Sequence, residues 1–320
     1  MQATAIAQPN IALIKYWGKR DLEQNLPAVG SISITLRDLY TRMNVRFDDG
    51  LAGDSLIVNE SAAPAMLPRL AACLDRVVGN DRPFAEITST CNFPIAAGLA
   101  SSASSFAALV VAAAAAAGKP FDTETLARLA GHASGSAARS LYGGYVELAN
   151  GDEGIRVAEI RAADTWPLGV VVAVTEPGPK PVGSTEAMEI SRRTSPFYRD
   201  WIERQDEDLA TARAAVAARD FGGLAAIAEH NCLKMHSIMW ASRPPVVYWN
   251  AATMRCLQAV RRLQGRGVDV FFTIDAGPQV KAVCVPESID VVAKELRQTP
   301  GVISVMTTGL GAGARLEGSA

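Results

Sequence analysis

A glycine-rich segment that leads into a predicted helix carries the strongest local chemistry in the sequence. It runs from Asn92 to Ser105, where Pro94 and Gly98 shape a turn before a series of small residues. The free N–H groups in the first turn of a helix, together with the helix dipole, bind anions, and the serine hydroxyls add donors. A run of serines that only caps a helix is the simpler alternative. The combination of turn, glycine and serines favours phosphate binding, although no Walker A sequence is present.

A short loop near the N-terminus concentrates positive charge. Lys15 and Lys19 are four residues apart and enclose Tyr16, Trp17 and Gly18. The lysines supply charge and the two aromatic residues supply O–H and N–H donors, which together suit an anionic ligand. The alternative is an aromatic-anchored surface loop with solvated lysines.

Two further segments contain groups that suit an oxyanion or a phosphate. Between Ser134 and Tyr145, Ser134 and Ser136 precede Arg139, whose guanidinium can bind an oxyanion in a bidentate manner. A turn followed by a glycine-rich strand explains the same residues without a ligand. Thr185 lies in a helix-capping sequence, which could contribute a ligand contact or could simply begin a helix.

Asp275 is the candidate catalytic carboxylate. It follows a largely apolar run and precedes Ala-Gly-Pro, which places it at the end of a predicted strand. Catalytic carboxylates are common at such ends, but an aspartate before a Gly-Pro turn is also an ordinary turn residue.

Composition excludes several other classes of protein. The 320 residues carry a net charge of −2, which gives no general nucleic-acid footprint. The five cysteines are scattered, so neither a disulfide framework nor a zinc site is indicated, and the three histidines are expected to be structural. No apolar stretch reaches the ~20 residues that span a bilayer, and the N-terminus lacks a signal-peptide pattern. We expect a cytoplasmic protein without membrane or nucleic-acid partners.

The elements that must position these residues follow an α+β order. The residues 5–14 and 31–47 are rich in Ile, Val and Thr and are predicted as strands. Further strands are predicted at 170–174, 268–274, 280–285 and 302–307, and helices at 68–78, 102–117, 197–218, 222–238, 249–264 and 287–298. A Pro- and Gly-rich interruption near residue 183 predicts a division into lobes 1–183 and 184–320. The residues 309–313, rich in glycine, form either a tail or a tight turn.

The glycine-rich segment resembles the phosphate-binding loop of the GHMP kinase superfamily. The ensemble Lys15–Arg20, Ser134–Tyr145 and Asp275–Pro278 is more specific and resembles the diphosphomevalonate decarboxylase family. This resemblance implies a two-lobed GHMP kinase-like fold with the active site in the cleft between the lobes. It also implies a homodimer that uses ATP and Mg²⁺ to convert 5-diphosphomevalonate to isopentenyl diphosphate, ADP, phosphate and CO₂, in the mevalonate pathway of isoprenoid biosynthesis.

The resemblance also assigns roles by position. It implies Asp275, Lys15, Arg139 and Asn10 as catalytic residues. Substrate contacts are implied for Tyr16, Trp17, Gly18, Lys19, Arg69, Ser134, Gly135, Ser136, Ala137, Ala138, Arg139 and Thr185. Contacts to ATP are implied for Pro94, Ala97, Gly98, Leu99, Ala100, Ser101, Ser102 and Ser104, with Ser101 or Ser102 nearest to Mg²⁺.

Three other activities fit parts of the pattern. The first is the same chemistry on mevalonate 5-phosphate, and the second is a GHMP small-molecule kinase that does not decarboxylate. A kinase of that kind is expected to lack the pair Asp275 and Lys15, which this chain keeps. The third is a catalytically dead relative that only binds a ligand. The intact motif residues argue against this alternative.

Overall fold

The computed structural model describes residues 1–93, 101–151, 154–178 and 181–318. Its strands are β1 Gln2–Ala7, β2 Asn10–Ile14, β3 Lys19–Asp21, β4 Leu26–Pro27, β5 Ser31–Thr35, β6 Thr41–Phe47, β7 Ser55–Val58, β8 Ser61–Ala62, β9 Ala85–Cys91, β10 Tyr145–Gly151, β11 Gly154–Arg161, β12 Gly169–Val174, β13 Val270–Thr273, β14 Val280–Cys284, β15 Ser304–Gly309 and β16 Arg315–Leu316. Its α-helices are α1 Leu67–Val78, α2 Ser101–Ala116, α3 Thr123–Ala133, α4 Ser184–Thr194, α5 Tyr198–Glu203, α6 Gln205–Ala218, α7 Phe221–Trp240, α8 Ala251–Gly265 and α9 Ile289–Arg297.

The first sheet has the strand order β16-β1-β6-β9-β7-β8 and packs against α2. Residues alternate between buried and half-buried along β6, as expected for a sheet with one face on the core. The helix α2 is rich in alanine and is buried on almost every side, because α1 and α3 cover what the sheet leaves open. Small side chains allow this close approach, and the N-terminus of α2 is thereby held at a fixed place in the core.

The second and third sheets share a hydrophobic core. The second has the order β11-β10-β5-β2, and the third has the order β13-β14-β12-β15. Ile11 and Ile34 of the second sheet join Val170 and Phe271 of the third in one buried cluster, to which α7 contributes Leu224. The helices α8 and α9 cover the third sheet. This arrangement brings the ends of β2 and β13 together, where the predicted catalytic residues lie.

Most predicted elements are confirmed, including the predicted helices at 68–78 and 102–117, which are α1 and α2. The predicted strands 5–14 and 31–47 are wrong in extent, because each consists of two strands in different sheets. Pro9, which has no N–H to donate, separates β1 from β2. The predicted helix 197–218 is interrupted at Arg204, which separates α5 from α6. The strands β9, β10 and β11 and the helix α3 were not predicted.

The third sheet contains strands from both sides of the predicted boundary at residue 183. The strand β12 precedes residue 183 but pairs with β14 and β15, which follow it, so this sheet takes strands from both predicted lobes. The division at residue 183 stays a prediction.

The glycine-rich residues 309–313 form a packed backbone segment, since the Gly311 N–H donates to the Thr35 carbonyl over 2.8 Å. Among the helices described, none combines the length and apolar character needed to cross a bilayer.

Candidate active site

A cleft of about 560 Å³ collects most of the predicted site residues. It is bounded by the N-terminal end of α4, the loop after α3 and the ends of β2 and β13. The predicted residues that line it are Asn10, Lys15, Tyr16, Trp17, Lys19, Arg69, Ser102, Ser134, Gly135, Ser136, Arg139, Thr185 and Asp275. Residues separated by up to 265 positions in the chain therefore share one cavity, which is of the size that small ligands occupy.

The carboxylate of Asp275 lies between two lysines. Its Oδ1 is 2.9 Å from Nζ of Lys15, and its Oδ2 is 3.2 Å from Nζ of Lys281. Both ammonium groups are buried, whereas Asp275 remains about a quarter exposed. The aspartate lies two residues after the end of β13, near the strand end that the sequence predicted, and Lys281 extends from the neighbouring strand β14. Each carboxylate oxygen thus has its own cation.

The charge state of Asp275 follows from this arrangement. Burial alone would raise the pKa of the carboxyl group, but the charges of Lys15 and Lys281 outweigh burial and hold the pKa well below its usual range. Burial lowers the pKa of Lys281, against the opposing effect of Asp275. The aspartate is therefore an anion throughout the physiological pH range and can accept hydrogen bonds only.

Asn10 holds the guanidinium of Arg139. Its Oδ1 accepts hydrogen bonds from Nε and Nη2 of Arg139 at 3.2 and 3.1 Å, and Nη1 donates to Ser31 Oγ at 2.6 Å. The Asn10 amide in turn donates to the Ser136 carbonyl at 3.0 Å. Burial lowers the pKa of Arg139 to about 10, so the group still carries its charge at neutral pH. The arginine is fixed in orientation at the wall of the cleft.

A second positive region lies where α4 meets β3. Nζ of Lys19 donates to Oγ1 of Thr185 over 2.8 Å. Burial lowers the pKa of Lys19, and the nearby guanidinium of Arg69 lowers it further, while Glu189 opposes the shift. Arg69 itself donates to the Ala133 carbonyl at 2.9 Å and lies over the ring of Phe106. Two cations and the first turn of α4 thus face the same part of the cleft.

Two aromatic donors in the cleft have no protein partner among the described residues. These are the hydroxyl of Tyr16 and Nε1 of Trp17, and both atoms are buried. Burial raises the pKa of Tyr16 to about 12, with Arg139 opposing, so the phenol keeps its proton. Buried donors almost always have partners in folded proteins, which makes both groups candidates for hydrogen bonds to a ligand.

The predicted serines divide into two groups. Ser134 Oγ lies 3.3 Å from Ser102 Oγ and 3.4 Å from Ser136 Oγ, so the loop after α3 meets the start of α2 at the cleft. Ser104 does not reach the cleft, because it is fully buried and its hydroxyl lies 2.8 Å from Oγ1 of Thr41. Its hydroxyl is engaged in the core, and the predicted contact of Ser104 to ATP stays a prediction.

Several other predicted contacts also lie away from the cleft. Ala137 and Ala138 are fully buried in a 3₁₀ helix, because their side chains pack into the core beneath Ser136. Gly18 has a positive φ of 100° and faces Tyr198, and it serves the loop rather than the cavity. Ser101 begins α2 but is not among the lining residues. Pro94, Ala97, Gly98, Leu99 and Ala100 lie outside the described residues.

The sequence did not indicate the layer beneath the cleft. Asn231 Oδ1 accepts from the backbone N–H of Lys15 at 2.7 Å, and Gln205 donates to the Lys15 carbonyl at 2.9 Å. His236 is fully buried near the Ile274 carbonyl, and burial lowers its pKa to about 3, so it is neutral. These residues come from α6 and α7, and only tertiary packing brings them to Lys15.

A protein-built metal centre is not present among the described residues, because no three His, Cys, Asp or Glu side chains converge there. Magnesium commonly keeps several waters and binds through substrate phosphates with one or two protein ligands. The serine hydroxyls at the start of α2 fit that mode, whereas zinc would need a different donor set.

Comparison with known proteins gives the same family over nearly the whole chain. A model described as the diphosphomevalonate decarboxylase-like N-terminal domain matches residues 7–158. A second model, described as the mevalonate 5-diphosphate decarboxylase C-terminal domain, matches residues 170–307. The two matches are separated by residues 159–169 and together cover every segment that lines the cleft.

Individual relatives agree with the family models. A diphosphomevalonate decarboxylase of Schizosaccharomyces pombe is 31% identical over 92% of this chain and 81% of its own length. The crystal structure of mevalonate diphosphate decarboxylase from Staphylococcus aureus has a TM-score of 0.92 at 34% identity, with 99% and 98% of the two chains covered. A structure described as "MDDEF in complex with MVAPP, AMPPCP and Magnesium" has a TM-score of 0.90 at 32% identity, with 99% of each chain covered.

Proposed function

The chain belongs to the diphosphomevalonate decarboxylase family and is an ATP-dependent carboxy-lyase, and from that premise we propose how its residues divide the work. The reaction phosphorylates the tertiary C3 hydroxyl of 5-diphosphomevalonate to create a leaving group. Loss of phosphate leaves C3 electron-deficient, and the C1 carboxylate departs as CO₂ to give isopentenyl diphosphate. Phosphoryl transfer of this kind depends mainly on positioning and charge stabilisation.

In this proposal Asp275 accepts a hydrogen bond from the C3 hydroxyl. One observation carries the assignment, namely that an anionic carboxylate lies in the cleft with a cation on each oxygen. A carboxylate with so low a pKa is a weak base. Its main task is therefore to align the hydroxyl, and it takes the proton only as the C3 oxygen bonds to phosphorus. Lys15 balances the negative charge that the transferred phosphoryl group brings close to Asp275.

The 5-diphosphate is bound by a second set of donors. Lys19 and Thr185 meet at the first turn of α4, where the helix dipole also favours an anion. Arg69 of α1 lines the same cleft, and its charge adds to burial in lowering the pKa of Lys19. The unpartnered hydroxyl of Tyr16 and the Trp17 N–H add neutral donors. Two phosphates carry enough charge to engage all of these groups, whereas one phosphate would leave some of them without a partner.

The substrate carboxylate is held by the loop after α3. Ser134 and Ser136 supply hydroxyls there, and the guanidinium of Arg139, fixed by Asn10, supplies a positive charge. A carboxylate held in this way is aligned for departure from C3. Because Ser134 contacts Ser102 of α2 and Arg139 is bound by Asn10 of β2, this segment is held in place and orients the substrate before phosphoryl transfer occurs.

ATP is bound by the glycine-rich segment and the start of α2. Ser102 lines the cleft at the helix N-terminus, and its hydroxyl is suited to phosphate or to magnesium. Ser101 stays a candidate for the same ion. When bound, Mg²⁺ neutralises charge on the nucleotide phosphates. The homodimer and the cytoplasmic location that the family resemblance implies also stay predictions.

Substrate comparison tests the proposal. The purified protein is incubated with ATP and either mevalonate 5-diphosphate or mevalonate 5-phosphate, and CO₂, ADP and alkene are measured. We expect kcat/KM to favour the diphosphate by at least about tenfold, or roughly 1.4 kcal/mol. Equal turnover of the two would favour the monophosphate alternative. Formation of ADP without CO₂ would indicate a kinase, and the absence of any product would indicate a dead relative.

A further inference from the structure

Lys281 is a fully buried cation that contacts Asp275 but has no assigned role in the proposed reaction. It lies in β14, where it pairs with Thr273 of β13 on one side and Val172 of β12 on the other. Its side chain is 0% exposed, and its Nζ is 3.2 Å from Oδ2 of Asp275. The strand is flanked on both sides within its sheet, so the base of this side chain is rigidly placed.

We propose that Lys281 is a positioning residue for the decarboxylase reaction, which fixes the Asp275 carboxylate so that it can align the C3 hydroxyl. Lys281 is not among the residues that line the cleft, so it acts through Asp275 and not on the substrate. The proposal rests on the role given above to Asp275. It adds that the contact with Lys281 holds the plane of the Asp275 carboxylate in one orientation.

The contacts of the two carboxylate oxygens support this role. Oδ1 is bound by Lys15, whose Nζ also donates to the Ala12 carbonyl at 2.7 Å. The same carbonyl accepts from Thr273 Oγ1 at 3.1 Å, which joins β2 to β13. With Oδ1 tied to one sheet and Oδ2 tied to Lys281 in the other, the carboxylate cannot rotate without breaking a charged contact. The Oδ1 contact is a charge-assisted hydrogen bond, and the Oδ2 contact is an ion pair.

The local charge balance points to function and not to stability. Two cations, Lys15 and Lys281, contact the Asp275 carboxylate, and the charge of Asp275 also acts on Arg139. Burying a charge costs free energy, and replacement of a buried ion pair by apolar groups is often neutral or stabilising. A second buried ammonium on the same carboxylate is therefore costly, since Lys15 already pairs with Asp275. Its benefit lies in fixing the orientation of Asp275.

A double-mutant cycle tests the inference. Lys281→Met should lower kcat by about tenfold, which is less than the 10²–10⁴-fold of general-base assistance because Lys15 remains. The KM values for ATP and the diphosphate substrate should change by less than about threefold, since no binding group is removed. In an Asp275→Asn background, measured in single turnovers, the same substitution should change the rate by less than about twofold.

The controls separate positioning from folding. Lys281→Gln keeps a hydrogen-bond donor without the charge and should behave like Lys281→Met, so it answers the question if the methionine variant does not fold. Arg82→Met removes another buried cation, which pairs with Asp54 and Asp75 away from the cleft. It should lower the melting temperature but leave kcat unchanged.

Two results would overturn the inference alone. One is wild-type kcat in the folded Lys281 variants, and the other is an undiminished loss in the Asp275→Asn background. If Asp275→Asn itself remained active, the proposed role of Asp275 would be the part that fails. A matching loss of kcat in Arg82→Met would show that reduced stability, and not positioning, accounts for the effect.

Discussion

Lys19 and Thr185 are 166 residues apart in the chain, and their side chains meet in a hydrogen bond of 2.8 Å from Nζ to Oγ1. The contact joins β3 to the first turn of α4 across the cleft. It places the uncharged Thr185 beside a cation in the region proposed to bind phosphate. The hydroxyl keeps the lysine ammonium beside the N-terminus of α4, where both favour the same anion.

The lowered pKa of Lys19 predicts a pH dependence of substrate binding. Burial, aided by Arg69, places this pKa below the ordinary 10.5 of a lysine, so Lys19 loses its charge at a lower pH than an exposed lysine does. We expect KM for the diphosphate to rise as pH increases through that pKa, while the charge is fully present below it. In Lys19→Arg the guanidinium stays charged, and the rise should disappear. A KM in the wild type that stays flat up to pH 10.5 would contradict this.

The substitution Asp275→Asn tests the role of the carboxylate. It keeps the size of the side chain but removes the charge that Lys15 and Lys281 balance. We expect kcat to fall by at least about 10³-fold, while substrate KM changes only a few-fold because the diphosphate is held elsewhere. Steady-state kinetics with circular dichroism for folding provides the measurement. Retention of more than about a tenth of the wild-type turnover would make Asp275 a turn residue.

The close packing of Gly135 on Tyr16 predicts an effect from a single methyl group. A Cβ built on Gly135 would lie 2.7 Å from Cζ of Tyr16 and closer still to its hydroxyl. Gly135→Ala should therefore displace the phenol and raise KM for the diphosphate by about tenfold, the value of one hydrogen bond to a charged group. Gly265→Ala at the end of α8 is the control, because its Cβ would meet nothing within 4 Å. If the two variants had the same KM for the diphosphate, Tyr16 would not contribute to binding of the diphosphate.

The two serines near the start of α2 make a matched pair. Ser102→Ala removes a hydroxyl that lines the cleft and should raise KM for ATP by about tenfold. Ser104→Ala removes a buried hydrogen bond to Thr41 and should lower the free energy of unfolding by about 1 kcal/mol with KM for ATP unchanged. Kinetics and denaturant unfolding on both variants distinguish the cases. The opposite pattern would mean that the serine that faces the nucleotide is Ser104.

Short sequence motifs predicted the groups that line the cleft but not the direction in which each residue points. Lys15, Lys19 and Arg139 all reach the cavity, as their motifs indicated. Ala137 and Ala138 lie in one of the same motifs, yet the 3₁₀ helix buries them in the core. A motif establishes which chemistry is present, whereas exposure depends on how the local helix packs.

Residues that act from beneath the cleft were harder to predict. Asn231 and His236 reach the site only because α7 packs between two sheets, and nothing in their local sequence indicates that contact. Lys281 did carry a signal, because it interrupts the otherwise apolar strand Val280–Cys284. A charge in a buried strand needs a partner, and Asp275 lies only six residues before it.

The pairing of β16 with β1 has a consequence for the synthesis of the protein. The strand β1 is synthesised before β16, and about 300 residues separate them. At about 5–20 residues per second, that interval is roughly 15 to 60 seconds. During this time the nascent first sheet has an unpaired edge at β1, and such an edge can pair with another chain. The nascent chain therefore needs protection from aggregation until β16 has been synthesised.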